Sequence, residues 1–106
     1  MPSHTAPIER IWCAIAPDGA ECEVTLQVGM PVEEPDGNWS VLVHLGGLEE
    51  RPFKIFGTDS WQAAALGMRF VAKRIEDFSE LGWKFFWRQG GAAATPEHLG
   101  FGAQWI

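Results

Sequence analysis

Two cysteines, three histidines, one serine and two clusters of carboxylates are the residues that could carry chemistry in this 106-residue chain. Cys13 and Cys22 could form a disulfide or contribute to a metal site. If the first two strands are joined by a four-residue loop, Pro17 to Ala20, Cys13 stands opposite Val24 and diagonal to Cys22. That places the two sulfurs' residues roughly 7–8 Å apart, too far for an unstrained bridge. Their spacing also matches no zinc motif. His4, His44 and His98 are not spaced as ligand pairs. Ser40 and His44 share a strand face, yet four residues along a strand is roughly 13 Å, so they cannot act as nucleophile and base. Glu33, Glu34 and Asp36, and likewise Glu49 and Glu50, fall in turns, where solvated carboxylates are the expected reading rather than an acid–base pair in a cleft. No Gly-x-Ser-x-Gly elbow or phosphate loop is present. No catalytic residue, metal ligand or cofactor is therefore assigned, and the expectation is a protein that is not an enzyme.

Bulk properties narrow the partners. Fourteen acidic residues against eight basic ones give a net charge of -6. Binding to nucleic acid rests on Lys and Arg neutralising phosphates, so neither nucleic acid nor an anionic membrane surface is expected. No stretch approaches the roughly 20 apolar residues that span a bilayer. Met1-Pro2-Ser3-His4 does not read as a secretion signal, and two cysteines are too few for a disulfide framework. A reducing cytoplasm is the expected location. Six Trp and seven Phe with no Tyr make an unusual aromatic set. A few such rings supply most of a small core.

The elements that must position these residues follow from pattern. Residues 1–7 read as a flexible N-terminal arm, 8–89 as a single domain, and 90–106 as a Gly/Ala-rich linker with an apolar tail. Ile8 to Ile15, Cys22 to Val28, Trp39 to Leu45 and Phe53 to Phe56 read as four strands in a meander. The turn Pro17-Asp18-Gly19 separates the first two, and two prolines exclude a central strand between Met30 and Asn38. Asp59 and Gln62, at capping-box spacing, open a long helix that closes at Gly82. Its apolar stripe is Trp61, Ala64, Ala65, Met68, Val71, Ala72, Ile75 and Phe78. Ala63, Leu66 and Phe70 form a second, smaller flank. Trp83 to Trp87 is a fifth strand, antiparallel if it joins the first strand and parallel if it joins the fourth. The fold class is α+β: a four- to five-stranded antiparallel sheet with one long helix packed on one face and an aromatic C-terminal tail.

Register then sorts the two faces. With the four-residue loop, Ile11, Cys13 and Ile15 join Val24 and Leu26 beneath the helix. The outer face carries Trp12, Leu42, His44, Phe56 and Phe86. These five, with Phe101 and Trp105 of the tail, are the candidate residues for binding a ligand or partner, and the tail is expected to cover this face. Exposed aromatic clusters of this kind mark interfaces.

Three stretches, Ile8-Glu9-Arg10-Ile11-Trp12, Pro31-Val32-x-x-Pro35-Asp36-Gly37-x-Trp39 and Phe56-Gly57-Thr58-Asp59-Ser60-Trp61-Gln62-Ala63, give a chain that resembles a family of short uncharacterised bacterial proteins, a domain of unknown function. The resemblance spans about residues 8–87 and implies a bacterial cytoplasmic origin. It carries no functional residues across. The reading reached from the residues is an interaction module that forms a homodimer or binds a basic protein, as an immunity-type acidic protein would. The alternative is a small-ligand domain with an aromatic pocket on the outer face.

Overall fold

The computed structural model describes residues 8–100. It is an α+β fold in which one long helix packs against an antiparallel sheet of seven strands. These are β1 (Ile8–Ile15), β2 (Glu21–Val28), β3 (Val32–Glu33), β4 (Trp39–Gly46), β5 (Phe53–Gly57), β6 (Lys84–Phe86) and β7 (Ala93–Ala94), with α1 (Ser60–Glu80) between β5 and β6. Across the sheet the order is β5, β4, β2, β1, β6, β7. The two-residue β3 pairs Ser40 and Trp39, on the edge of β4 opposite β5, and so prolongs the row of β2. β3 and β7 are the strands that the pattern did not reveal. Two residues hold no alternation to read, and Pro31 and Pro35 bracket the first of them.

β6 lies antiparallel beside β1, pairing Ala14 with Phe85, which settles the choice the sequence left open. Phe85 is thereby delivered to the core. Beyond it, Trp87 closes a hairpin by donating its N–H to the Ala92 carbonyl at 2.9 Å.

The first hairpin corrects the expected register. Ala16 N–H donates to Ala20 O, and Gly19 N–H donates to Ala16 O, both at 2.8 Å. The loop is therefore the three residues Pro17-Asp18-Gly19, with Gly19 at φ 91°. A three-residue hairpin loop ends in a left-handed residue, which glycine adopts without a Cβ penalty. One residue fewer in the loop moves every side chain of β1 to the other face. Trp12 pairs with Val24 and Ala14 with Cys22, while Cys13 faces Glu23. Trp12 is consequently 0% exposed and belongs to the core, not to the outer face. Alternation alone favours the four-residue loop, because the three-residue loop brings the charged Arg10 under the helix side. Arg10 is accommodated there: its guanidinium stacks 4.7 Å from the Trp87 ring and donates to the His98 carbonyl at 3.1 Å.

The helix also turns its buried stripe away from the expected one. Ala63, Gly67, Val71 and Ile75 are buried, whereas Trp61 is 84% exposed. Gly67 sets this orientation, because only a residue without a Cβ approaches Val41 and Val43 so closely. Burial of about 0.8 kcal/mol per methylene favours the rotation that seats the helix deepest on β4. The flank Leu66 and Phe70 meets β5, where the Phe53 and Phe70 rings lie 4.9 Å apart. At the helix start the Asp59 carboxylate accepts from Gln62 N–H at 2.7 Å, and Gln62 Oε1 accepts from Thr58 N–H at 2.7 Å. The helix ends at Leu81, with Gly82 at φ 104° beyond it.

The chain from 93 to 99 runs on the helix-covered side. A 3-10 turn, Pro96–Leu99, contacts α1, and Leu99 packs on the core. The expected arm, residues 1–7, and the tail residues Phe101 and Trp105 lie outside the described residues. No helix among the described residues is long and apolar enough to cross a membrane.

Candidate functional site

Strand pairing fixes which expected residues share the outer face. Leu42 and His44 project outward from β4, Lys54 and Phe56 from β5, and Phe86 from β6, opposite Cys13. Trp12 does not, for the reason of register given above. Phe56 and Phe86 stand on β5 and β6 with β4, β2 and β1 between them. At about 4.8 Å per strand that separation is roughly 19 Å, so the two rings line no common pocket.

The outer face thus has two apolar islands. Ile11, Cys13, Ile15 and Phe86 form one on β1 and β6. A polar belt separates it from the second: Thr25, Gln27 and His44, with Gln27 Nε2 donating to the Glu9 carboxylate at 2.7 Å. The His44 imidazole lies with Nε2 3.2 Å from the Glu49 carbonyl.

The second island, at the β4–β5 end, is the better defined. Met30, Val32, Leu42 and Phe56 are 53%, 59%, 55% and 54% exposed. Each would be expected to hide if it could, since burying a side chain of this size is worth about 1.5–3 kcal/mol. In their midst sits a closed polar network. The Ser40 hydroxyl, 3% exposed, donates to Glu34 Oε2 at 2.5 Å. Lys54 Nζ lies 3.1 Å from the same oxygen and 5.6 Å from the Phe56 ring centre. The Ser40 hydrogen bond, and after it Lys54, holds the Glu34 carboxyl below the usual carboxylate range. Glu34 reaches this place because the turn Glu34–Asn38 is locked: the Asp36 carboxylate accepts from Asn38 N–H at 3.0 Å, and Glu34 N–H donates to Asn38 O at 2.7 Å. Composition and spacing showed Glu33, Glu34 and Asp36 as a cluster of charge. They could not show that Glu34 folds inward onto Ser40, which depends on β3 pairing β4.

Among the described residues, those with reactive side chains do not come together. Ser40 is bound to Glu34 and His44 to the Glu49 backbone, each facing its own partner. Cys13 and Cys22 are free thiols on opposite faces of the first hairpin. His98 accepts from Thr95 N–H through Nδ1 at 3.1 Å and meets the Trp87 ring edge-on. Among the described residues, no three His, Cys, Asp or Glu side chains are grouped to hold a metal ion. One buried side-chain polar atom, Trp12 Nε1, has no hydrogen-bond partner among the described residues.

No protein-family model, curated protein or solved structure matches the chain.

Proposed function

We propose that this protein is a non-enzymatic interaction module that self-associates through the β4–β5 end of its outer sheet face. The observation that supports the reading is the apolar island of Met30, Val32, Leu42 and Phe56 arranged around a charge pair that is already neutralised. Contiguous exposed apolar surface of this kind is characteristic of contact sites. The net charge of -6 repels two copies at long range. Within the island, one acid and one base face each other at 3.1 Å, so two copies meet there without like-charge repulsion. The same neutrality gives a basic protein no excess negative charge to bind at this place.

The residues of the reading are Leu42 and Phe56, supported by Val32 and the Lys54–Glu34–Ser40 network. A dilution series followed by amide chemical shifts tests it. Shifts that move with concentration at residues 32, 42, 54 and 56, and stay constant along β1 and β6, are the expected result. Concentration-dependent shifts confined to β1 and β6 would instead place the contact on the other island.

A further inference from the structure

β5 is an edge strand: its inner side pairs with β4, and among the described residues no strand pairs with its outer side. An unpaired edge leaves a row of backbone N–H and C=O groups ready to accept another strand. Proteins usually blunt such an edge with a projecting lysine, a proline or a bulge. Here Pro52 precedes the strand, the five residues Phe53–Gly57 are unbroken, and the one lysine is folded back onto Glu34. Apolar side chains flank the edge on both faces. Phe56 is 54% exposed on the outer side, while Phe53, Leu66 and Trp61 are exposed on the helix side.

Resting on the reading that the chain self-associates, we infer that a second copy of it adds to this edge, β5 against β5, extending the antiparallel sheet across a two-fold axis at Ile55. The two-fold restricts the register. Opposed residues must share a face, so their numbers add to an even total. Only pairing Phe53 with Gly57 of the other copy engages all five residues of the strand. That register sets each Lys54 beside the other copy's Phe56 and each Ile55 against its equivalent. A slip by two in one direction opposes Lys54 to Lys54, which like charges disfavour. Continued past the strand ends, the chosen register brings Arg51 of each copy toward Asp59 of the other. Both side chains are exposed, and the two pairs of opposite charge close the contact at its ends. The α1 helices lie on the same face of the joined sheet, and the Leu66 and Phe70 flanks approach across the axis. This gives the exposed Phe53, Leu66 and Trp61 a partner, which the outer island alone does not.

Solution mass of four variants, with hydrogen exchange at β5, tests the geometry. Arg51→Glu places two acids face to face at each end, and dimer affinity is expected to fall roughly ten-fold. Asp59→Asn keeps the helix cap, because asparagine caps as well as aspartate. Combined with Arg51→Glu it is expected to restore most of the loss. Ile11→Lys, exposed on the other island, is expected to leave the dimer intact, and alternate β5 amides are expected to slow their exchange as concentration rises. A dimer that ignores Arg51→Glu, with β5 amides whose exchange does not change as concentration rises, would overturn edge pairing and leave self-association by stacked faces standing. A wild-type chain monomeric at every concentration would overturn both.

Discussion

Gly67 of the helix lies directly over Val41 of β4, so closely that a Cβ on the glycine would stand 2.7 Å from Val41 Cγ2. The same added carbon would meet Val43 at 3.2 Å and Val28 at 3.4 Å. This contact determines which stripe of α1 is buried, and through it which aromatic side chains are left outside. Alanine ordinarily stabilises a helix interior by about 1 kcal/mol over glycine. Here the stiff, β-branched valine cannot yield, and overpacking costs about 1–3 kcal/mol. Gly67→Ala is therefore expected to lower stability by about 1 kcal/mol in urea denaturation. Adding Val41→Ala makes room for the methyl, so the double variant is expected to lose less than the sum of the two single changes.

Trp12 provides the sharpest check on the register of the first hairpin. It is 0% exposed and packs with Phe85 at 6.1 Å and Trp87 at 5.7 Å between ring centres. Trp12→Ala is expected to cost about 3–5 kcal/mol, as large-to-small changes of core aromatics do. A tryptophan on the outer face would lose far less, within about 1 kcal/mol. Trp12→Phe is expected to be milder than its lost volume suggests, because it also removes a buried N–H that has no partner among the described residues. Equilibrium unfolding of the two variants separates these cases.

The Glu34 network gives a pH dependence with a definite sign. Its carboxyl is held below the ordinary value of 4.5, first by Ser40 and then by Lys54. A depressed carboxylate stabilises the fold above its unfolded pKa, and that contribution is lost as pH falls through the lower, folded value. Carbon-detected titration of Glu34 is expected to show a midpoint below 4.5, and Ser40→Ala is expected to move it upward. An unchanged midpoint in Ser40→Ala would assign the depression to Lys54 instead.

Arg74 ties the helix to the β4–β5 connection through Glu49, with Nη2 to Oε2 at 2.6 Å and Nε to Oε1 at 3.3 Å. A two-point guanidinium–carboxylate contact is more specific than a single one. Lysine keeps the charge but not the fork. Arg74→Lys is expected to cost about 0.5–1 kcal/mol, read as a lowered denaturation midpoint, and to shift the amide resonances of residues 47–51.

Much of this architecture was legible in the chain. The four longer strands of the first half, the cap at Asp59, the helix stop at Gly82 and the outward aim of Leu42, His44, Phe56 and Phe86 all follow from period and turn chemistry. Trp12 was misplaced because the length of a loop, three residues or four, decides a face, and Pro17-Asp18-Gly19-Ala20 accommodates both. Trp61 was misplaced because a glycine carries no hydropathy signal. Gly67 marks the centre of the buried stripe through close approach, which becomes evident only when the sheet lies beneath it. The inward fold of Glu34 was hidden for a related reason: it needs the two-residue β3, too short to leave a pattern. What the sequence displayed as a single aromatic face is, in three dimensions, two islands separated by a polar belt.

The central claim, self-association at the β4–β5 corner, is tested most directly by the mass in solution of the wild-type chain and of Phe56→Lys, by sedimentation equilibrium over a wide concentration range. Phe56 projects outward and is exposed, so its replacement leaves the core untouched and the variant remains folded. A wild-type mass that rises toward twice the 11.8 kDa of one chain, with Phe56→Lys staying at the single-chain value, is the result expected. Equal masses for the two proteins at every concentration would contradict it.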